Sequence, residues 1–301
     1  MSWITLSLAS AFAFGVVSIL DKVILMRYIS SARTLTVMVG LLQIALSIIV
    51  WPFTPVLSYS FDVSAIAFVS GLLWGVSLVT MFWAMSTQDV SRVIPVASTS
   101  PVFVAIMAML FLSEDLSIIH WVAIVVTVAG AAFISLNATG GQSRRVSLDS
   151  TFLLLLLGSL AFGGGQFLSK VVLDEMDIWS LYVLRGAGFG TTCLVLMFRP
   201  AVLSDMRRAL SNMETMVVFL TAEGAVVFAG VTLSLWAIAL GPVSLTVTLM
   251  STRPLFVFVM SVLVSSSVWR LLDEPLDRKT LANKLVSTTM IVAGISAISL
   301  L

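Results

Sequence analysis

Long, uninterrupted apolar runs recur along the whole of this sequence. A run of about 20 predominantly apolar residues is long enough to cross the hydrocarbon core of a bilayer as a helix. A membrane β-barrel would instead alternate apolar and polar residues over about ten positions, and these runs do not alternate. The chain therefore reads as an all-α integral membrane protein with ten transmembrane helices. They are placed at Trp3–Leu20 or slightly beyond, Thr34–Trp51, Val63–Met85, Val90–Leu112, Leu116–Leu136, Ser150–Leu173, Ile178–Phe198, Glu214–Leu240, Pro242–Ser266 and Thr280–Leu301. Composition agrees, with 10% charged and 59% hydrophobic residues among 301, against about 25% charged in soluble domains. Ten helices take up roughly 200 residues, which leaves short loops and no room for a soluble domain. Ala9-Ser10-Ala11 resembles a signal-peptide cleavage site, but no positive residue precedes that first run, so it is expected to stay in the fold.

The net charge of +1 gives no electrostatic case for nucleic acid or for a polybasic lipid patch. The single cysteine, Cys193, has no intrachain partner and reads as a small buried hydrophobe. The single histidine, His120, cannot form a zinc-binding HExxH pair, and no Cys/His cluster exists for a metal. Lys170 lacks the adjacent glycine of a phosphate loop, and Gly186-Ala187-Gly188-Phe189-Gly190 misses the dinucleotide spacing. The expectation is a protein that is not an enzyme and carries no cofactor or metal.

The chain repeats itself. Ala13-Phe14-Gly15, Leu20, Lys22, Val23 and Leu25 recur 148 residues later as Ala161-Phe162-Gly163, Leu168, Lys170, Val171 and Leu173, seven identities in thirteen positions. With an offset of 153, Val90-Ser91 matches Val243-Ser244, and Ser98-Thr99-x-Pro101-x-Phe103-Val104 matches Ser251-Thr252-x-Pro254-x-Phe256-Val257. Val128-Ala129-Gly130 recurs as Val292-Ala293-Gly294. This divides the chain into residues 1–139, a linker 140–149, and 150–301, with five helices in each half. Because five is odd, the second copy enters the membrane inverted relative to the first, which is the architecture of secondary transporters with a midplane site between their halves.

These residues resemble a known family. Val90-Ser91, Ser98-Thr99-Ser100-Pro101-Val102-Phe103, Leu110-Phe111-Leu112-Ser113-Glu114 and Val128-Ala129-Gly130 are similar to the signature of the EamA family, in the drug/metabolite transporter superfamily. Arg253-Pro254-Leu255-Phe256, Glu274 and Ala293-Gly294 repeat it. The resemblance implies a ten-helix carrier of two inverted repeats that exports amino acids or other small metabolites. It also implies a lysine late in the first helix of each half and an arginine in the second. Lys22, Lys170 and Arg185 match, whereas Val37 stands where the first half would carry its arginine.

Of sixteen Lys and Arg residues, thirteen fall in the loops of one side: Lys22, Arg27, Arg33, Arg92, Arg144, Arg145, Arg199, Arg207, Arg208, Arg270, Arg278, Lys279 and Lys284. Only Lys170 falls on the other side. The positive-inside rule then places both termini outside the cytoplasm, in the inner membrane of a bacterium.

Arg185, Glu223 and Arg253 lie within predicted helices, where a charge is costly and marks a functional site by default. An arginine offers a planar fork of donors to a carboxylate or phosphate, and Glu223 is a candidate for proton coupling or amine binding. The competing account is a charge-neutralising network within the second half. Pro101 and Pro254 read as mid-helix kinks, with Ser98, Thr99, Ser251 and Thr252 one turn earlier as candidate substrate-path residues. Gln43, Gln166 and Trp74 are further candidate substrate contacts. Lys22 reads as a neighbour of Asp21, and Glu114 and Glu274 as caps of the helices that follow them. The partners expected are a small-molecule substrate, protons and membrane lipids. A monomer is sufficient, and a dimer is compatible. The reading is a secondary exporter of a small polar or anionic metabolite; a carrier of lipid-linked or lipid-phosphate substrates and a non-transporting membrane scaffold remain as alternatives.

Overall fold

The computed structural model describes residues 2–29, 31–87, 99–137, 150–265, 286–294 and 297, and those residues form helices and short connections with no strand among them. They give α1 (Trp3–Arg27), α2 (Ala32–Val50), α3 (Phe61–Thr87), α4 (Ser100–Phe111), α5 (Ile118–Asn137), α6 (Ser150–Leu173), α7 (Ile178–Met197), α8 (Pro200–Leu210), α9 (Met213–Leu240), α10 (Val243–Met250) and α11 (Arg253–Ser265). Residues 286–294 add a further helical stretch. Among the described residues, six helices are long and apolar enough to cross a membrane: Trp3–Arg27, Ala32–Phe53, Phe61–Ala84, Leu153–Leu173, Ile178–Met197 and Met213–Leu240. The protein is a multi-pass membrane protein.

Helix starts follow ordinary capping chemistry. Ser2 accepts a hydrogen bond from the Thr5 amide at 3.3 Å, Ser31 from Thr34 at 3.4 Å and Asn212 from Glu214 at 2.9 Å. At the start of α7 the Asp177 carboxylate accepts from the Trp179 and Ser180 amides at 2.9 and 3.1 Å, and from the Tyr59 hydroxyl at 3.0 Å. Burial raises this carboxyl, but the bonds from Ser180, Tyr59 and Trp179 outweigh it and hold Asp177 below the ordinary carboxylate range. The cap is therefore complete above the unfolded value of about 3.9 and is lost as pH falls through the folded one. Asp177→Ala is expected to lower unfolding free energy by about 1 kcal/mol at neutral pH, with the gap to wild type closing in acid. Unfolding curves in detergent at a series of pH values test this, and a gap that widens in acid would contradict it.

Polarity is distributed as lipid demands. Ile48, Ile49, Leu110, Phe111, Val122, Leu157 and Val195 are exposed, while Ser10, Ser70, Ser169, Ser234 and Thr248 are buried. Lipid tails solvate the former, and no hydrophobic force opposes the latter provided each hydroxyl is bonded. The Ser169, Ser234 and Thr248 hydroxyls donate to carbonyls three or four residues back, and Ser10 donates across to the Gly230 carbonyl at 2.9 Å.

The two halves of the chain interleave. α3 packs against α6 and α7, α2 against α7, α1 against α9 and α11, and α4 against α6 and α10. Close approach is what small residues permit here. A methyl group added at Gly71 would collide with the Arg185 carbonyl oxygen, and one at Gly188 with the Phe68 carbonyl oxygen, so α3 and α7 touch backbone to backbone. Contacts between connections define the two faces. Trp3 packs on Gly241 and Tyr59 bonds to Asp177, whereas the Tyr28 hydroxyl donates to Glu214 at 2.7 Å on the opposite side.

Three sequence expectations change. Pro101 does not bend the middle of a described helix: it sits in the first turn of α4 just after Thr99, with residues 88–98 outside the described set. Pro254 does not kink one continuous helix either, because the chain breaks at Ser251-Thr252 and α11 starts afresh at Arg253. Proline supplies no N–H to the carbonyl four residues back, and its ring crowds that carbonyl. In the turn that precedes it, the Ser251 and Thr252 hydroxyls donate to the Thr248 and Leu249 carbonyls at 2.6 and 2.7 Å. Finally, the stretch read as a loop before the eighth span folds into α8, with Val202 and Ala209 buried and Arg207 and Arg208 in its last turn.

Candidate functional site

α7 carries Arg185 into the protein, where only 2% of the residue is exposed. Its Nη2 donates to Gln166 Oε1 of α6 at 2.7 Å. The guanidinium lies 4.8 Å from the ring centroid of Trp74 on α3, a cation–π distance. Trp74 in turn packs against Phe189 with centroids 4.6 Å apart. Nε and Nη1 of Arg185 are buried and have no hydrogen-bond partner among the described residues. Among the described residues this arginine meets an amide and an indole, and no carboxylate.

One turn earlier on α7, the Tyr182 hydroxyl donates to Gln43 Oε1 of α2 at 3.3 Å. Gln43 is 1% exposed and its Nε2 also lacks a partner. Four sequence candidates thus lie around one helix: Arg185, Gln166 and Trp74 in direct contact, with Gln43 joined to the same helix through Tyr182. The excess is of buried donors, which suits a ligand rich in acceptors.

Arg253 belongs to a second cluster. Its Nε donates to Ser18 Oγ of α1 at 2.6 Å, and its guanidinium lies 5.8 Å from the Phe14 ring centroid. Asp21, one turn beyond Ser18, and Glu223 both lie close enough for their charges to act on Arg253, and the Glu223 carboxyl also feels Asp21. Glu223 is 4% exposed and occupies the centre of a π-helical turn, Leu220–Val226, inside α9. Such turns widen a helix locally and recur at functional sites. The two arginines are therefore chemically unlike, one facing acids and the other without them.

The remaining candidates separate. The Thr99 hydroxyl pairs with that of Ser159 at 3.0 Å, Ser251 and Thr252 are engaged in their own chain, and Ser98 and Glu274 lie outside the described residues. Lys22 is exposed on α1. Asp21 turns away from it toward Glu223, as the roughly 100° between adjacent helical positions requires; that geometry was the available signal, and the sequence reading paired the two instead. Glu114 does not cap α5. Its Oε1 accepts from the Val243 amide at 2.7 Å and its Oε2 from the Ser244 amide at 3.4 Å and the Ser244 hydroxyl, so it caps α10. No local pattern discloses a cap supplied from 129 residues away.

Residues 1–136 match the model of the EamA-like transporter family, which agrees with the resemblance carried by the sequence motifs. An uncharacterized transporter in the cobO 3′ region of Sinorhizobium sp is 37% identical over 67 residues. The match covers 22% of this chain and 48% of that protein, so the chain spans about half the length of the curated relative it matches. A solved crystal structure of a protein is similar with a TM-score of 0.65, covering 97% of this chain and 96% of its own, at 18% identity. At that identity the likeness is one of fold.

Proposed function

We propose that this chain, EamA-like over residues 1–136, is a secondary active transporter that exports a small polar or anionic metabolite, such as an amino acid, by alternating access. The observation that carries the substrate class is Arg185: a buried guanidinium that, among the described residues, has two unpartnered donor nitrogens and no acid beside it. An anionic group is the ligand that completes such a fork. Trp74 and Gln166 hold the guanidinium in place, and Gln43 adds a donor from α2.

Ten helices arranged as two inverted halves, 1–139 and 150–301, are part of the same proposal. The packing supports it. Exchange of the halves turns the α1–α9 pair into the α3–α6 pair and leaves the α2–α7 and α4–α10 pairs as themselves, and all four pairs are in contact. The positive residues favour a bacterial inner membrane location with both termini outside the cytoplasm. Glu223 is assigned proton coupling, with Asp21 as its partner, because it is a buried carboxyl at the centre of a π-helical turn with a second acid and Arg253 close enough for their charges to act on it. Arg253 balances the remaining charge.

Flux into proteoliposomes tests the reading, with amino acids, organic anions and sugar phosphates offered with and without a pH gradient. Wild type is expected to move an anionic substrate faster when the gradient is imposed. Glu223→Gln keeps movement down a substrate gradient and loses the response to pH. A response identical to wild type in Glu223→Gln would remove the coupling assignment.

A further inference from the structure

We propose that Glu114 is the latch that closes one membrane face of the carrier, by holding the Gly241-Pro242 turn of the second half against the first. The proposal rests on the two-half reading above.

The turn lies between the end of α9 and the start of α10, where carbonyls and amides are left without helical partners. Lys170 serves the carbonyl end: Nζ donates to Ile238, Gly241 and Ala239 carbonyls at 2.9, 3.2 and 3.5 Å. Glu114 serves the amide end, accepting from the Val243 and Ser244 amides and the Ser244 hydroxyl. Each charge opposes the local end of a helix dipole. Trp3 of α1 closes on Gly241, with ring carbons 2.6 and 2.7 Å from where a Cβ would stand.

The origin of these groups distinguishes a latch from a cap. Helices are ordinarily capped by the residue at their own N-cap, but the N-cap of α10 is Pro242, which has no side-chain bond to offer. Its cap comes from the loop after α4, in the other half of the chain. Lys170 belongs to the same half as the turn. Movement of the halves apart at this face must therefore break the Glu114 bonds and the Trp3 contact while leaving the Lys170 bonds intact. Directly beneath, Val247 of α10 packs against Val104 and Ala108 of α4, so the same separation uncovers it. Val247 is 1% exposed with the latch closed.

The test needs no substrate. In a Cys193→Ala background, Val247→Cys is reacted with a membrane-impermeant maleimide from the side of the Gly241 turn. Labelling is expected to be slow with Glu114 in place and roughly 2–30-fold faster in Glu114→Ala, the population shift that one cap supplies. Ser244→Ala, which removes a single bond, gives a smaller increase and carries the test should Glu114→Ala fail to fold. Lys170→Met is expected to lower thermal stability without accelerating labelling. Equal acceleration by Lys170→Met and Glu114→Ala, or none by folded Glu114→Ala, overturns the latch. Labelling that behaves as expected alongside flux indifferent to Arg185 would instead overturn the anion reading and leave the latch standing.

Discussion

Arg185→Ala is expected to remove the transport of an anionic substrate while leaving the protein folded. Losing hydrogen bonds to a charged partner is worth up to about 3 kcal/mol, which corresponds to a roughly 100-fold fall in flux at limiting substrate. Arg185→Lys retains the charge but loses the planar fork that bonds Gln166 and presents Nε and Nη1 together, so it recovers only part of the flux. The expected signature is a rise in KM for anions, with any uncharged substrate unaffected. Initial rates in proteoliposomes, set beside size-exclusion profiles of each variant, decide the matter. Unchanged anion KM in folded Arg185→Ala would show that the guanidinium is structural.

Gly71→Val is expected to abolish assembly of the native helix packing. A side chain there enters the Arg185 carbonyl oxygen, a backbone atom at the centre of the α3–α7 contact, which no rotamer change can move aside. Overpacking costs about 1–3 kcal/mol where neighbours can shift, and here the shift has to separate two backbones, so loss of the monodisperse species in detergent is the expected result. Gly71→Ala retains partial folding with a lowered melting temperature, and because it displaces the backbone of Arg185 it also lowers anion flux. Gly224→Ala is the control: the nearest atom to its added methyl from another helix, on Leu42, is 4.0 Å away, and its melting temperature is expected not to fall below the wild-type value. If Gly71→Val folds as well as Gly224→Ala, the close approach of α3 and α7 is wrong.

How far residues could be read in advance depended on whether their partners were local. Arg185, Gln166, Trp74 and Gln43 were each recognisable as polar or aromatic groups within apolar helices, because a bilayer makes such residues conspicuous. Their grouping was not, since it follows from the seating of α3 against α6 and α7 through glycines that carry no chemistry of their own. Arg253 looked equivalent to Arg185 in sequence and differs only in what surrounds it. The prolines were visible as disturbances, but whether a proline bends a helix or begins another is decided by the turn the chain makes before it. Before Pro254 that turn is held by the Ser251 and Thr252 hydroxyls, which donate to the Thr248 and Leu249 carbonyls.

The sequence by itself determined the solvent of this protein, its helical class and the helices that carry buried charge. These follow from the length and continuity of apolar runs, because hydrocarbon admits only backbones whose hydrogen bonds are satisfied internally. Only the tertiary structure decided which arginine lacks an acid, that Asp21 faces Glu223, and that Glu114 reaches a helix in the other half. Those outcomes depend on contacts between different helices, 129 residues apart in the case of Glu114 and Val243, and the local period of a helix carries no record of which neighbour it will meet.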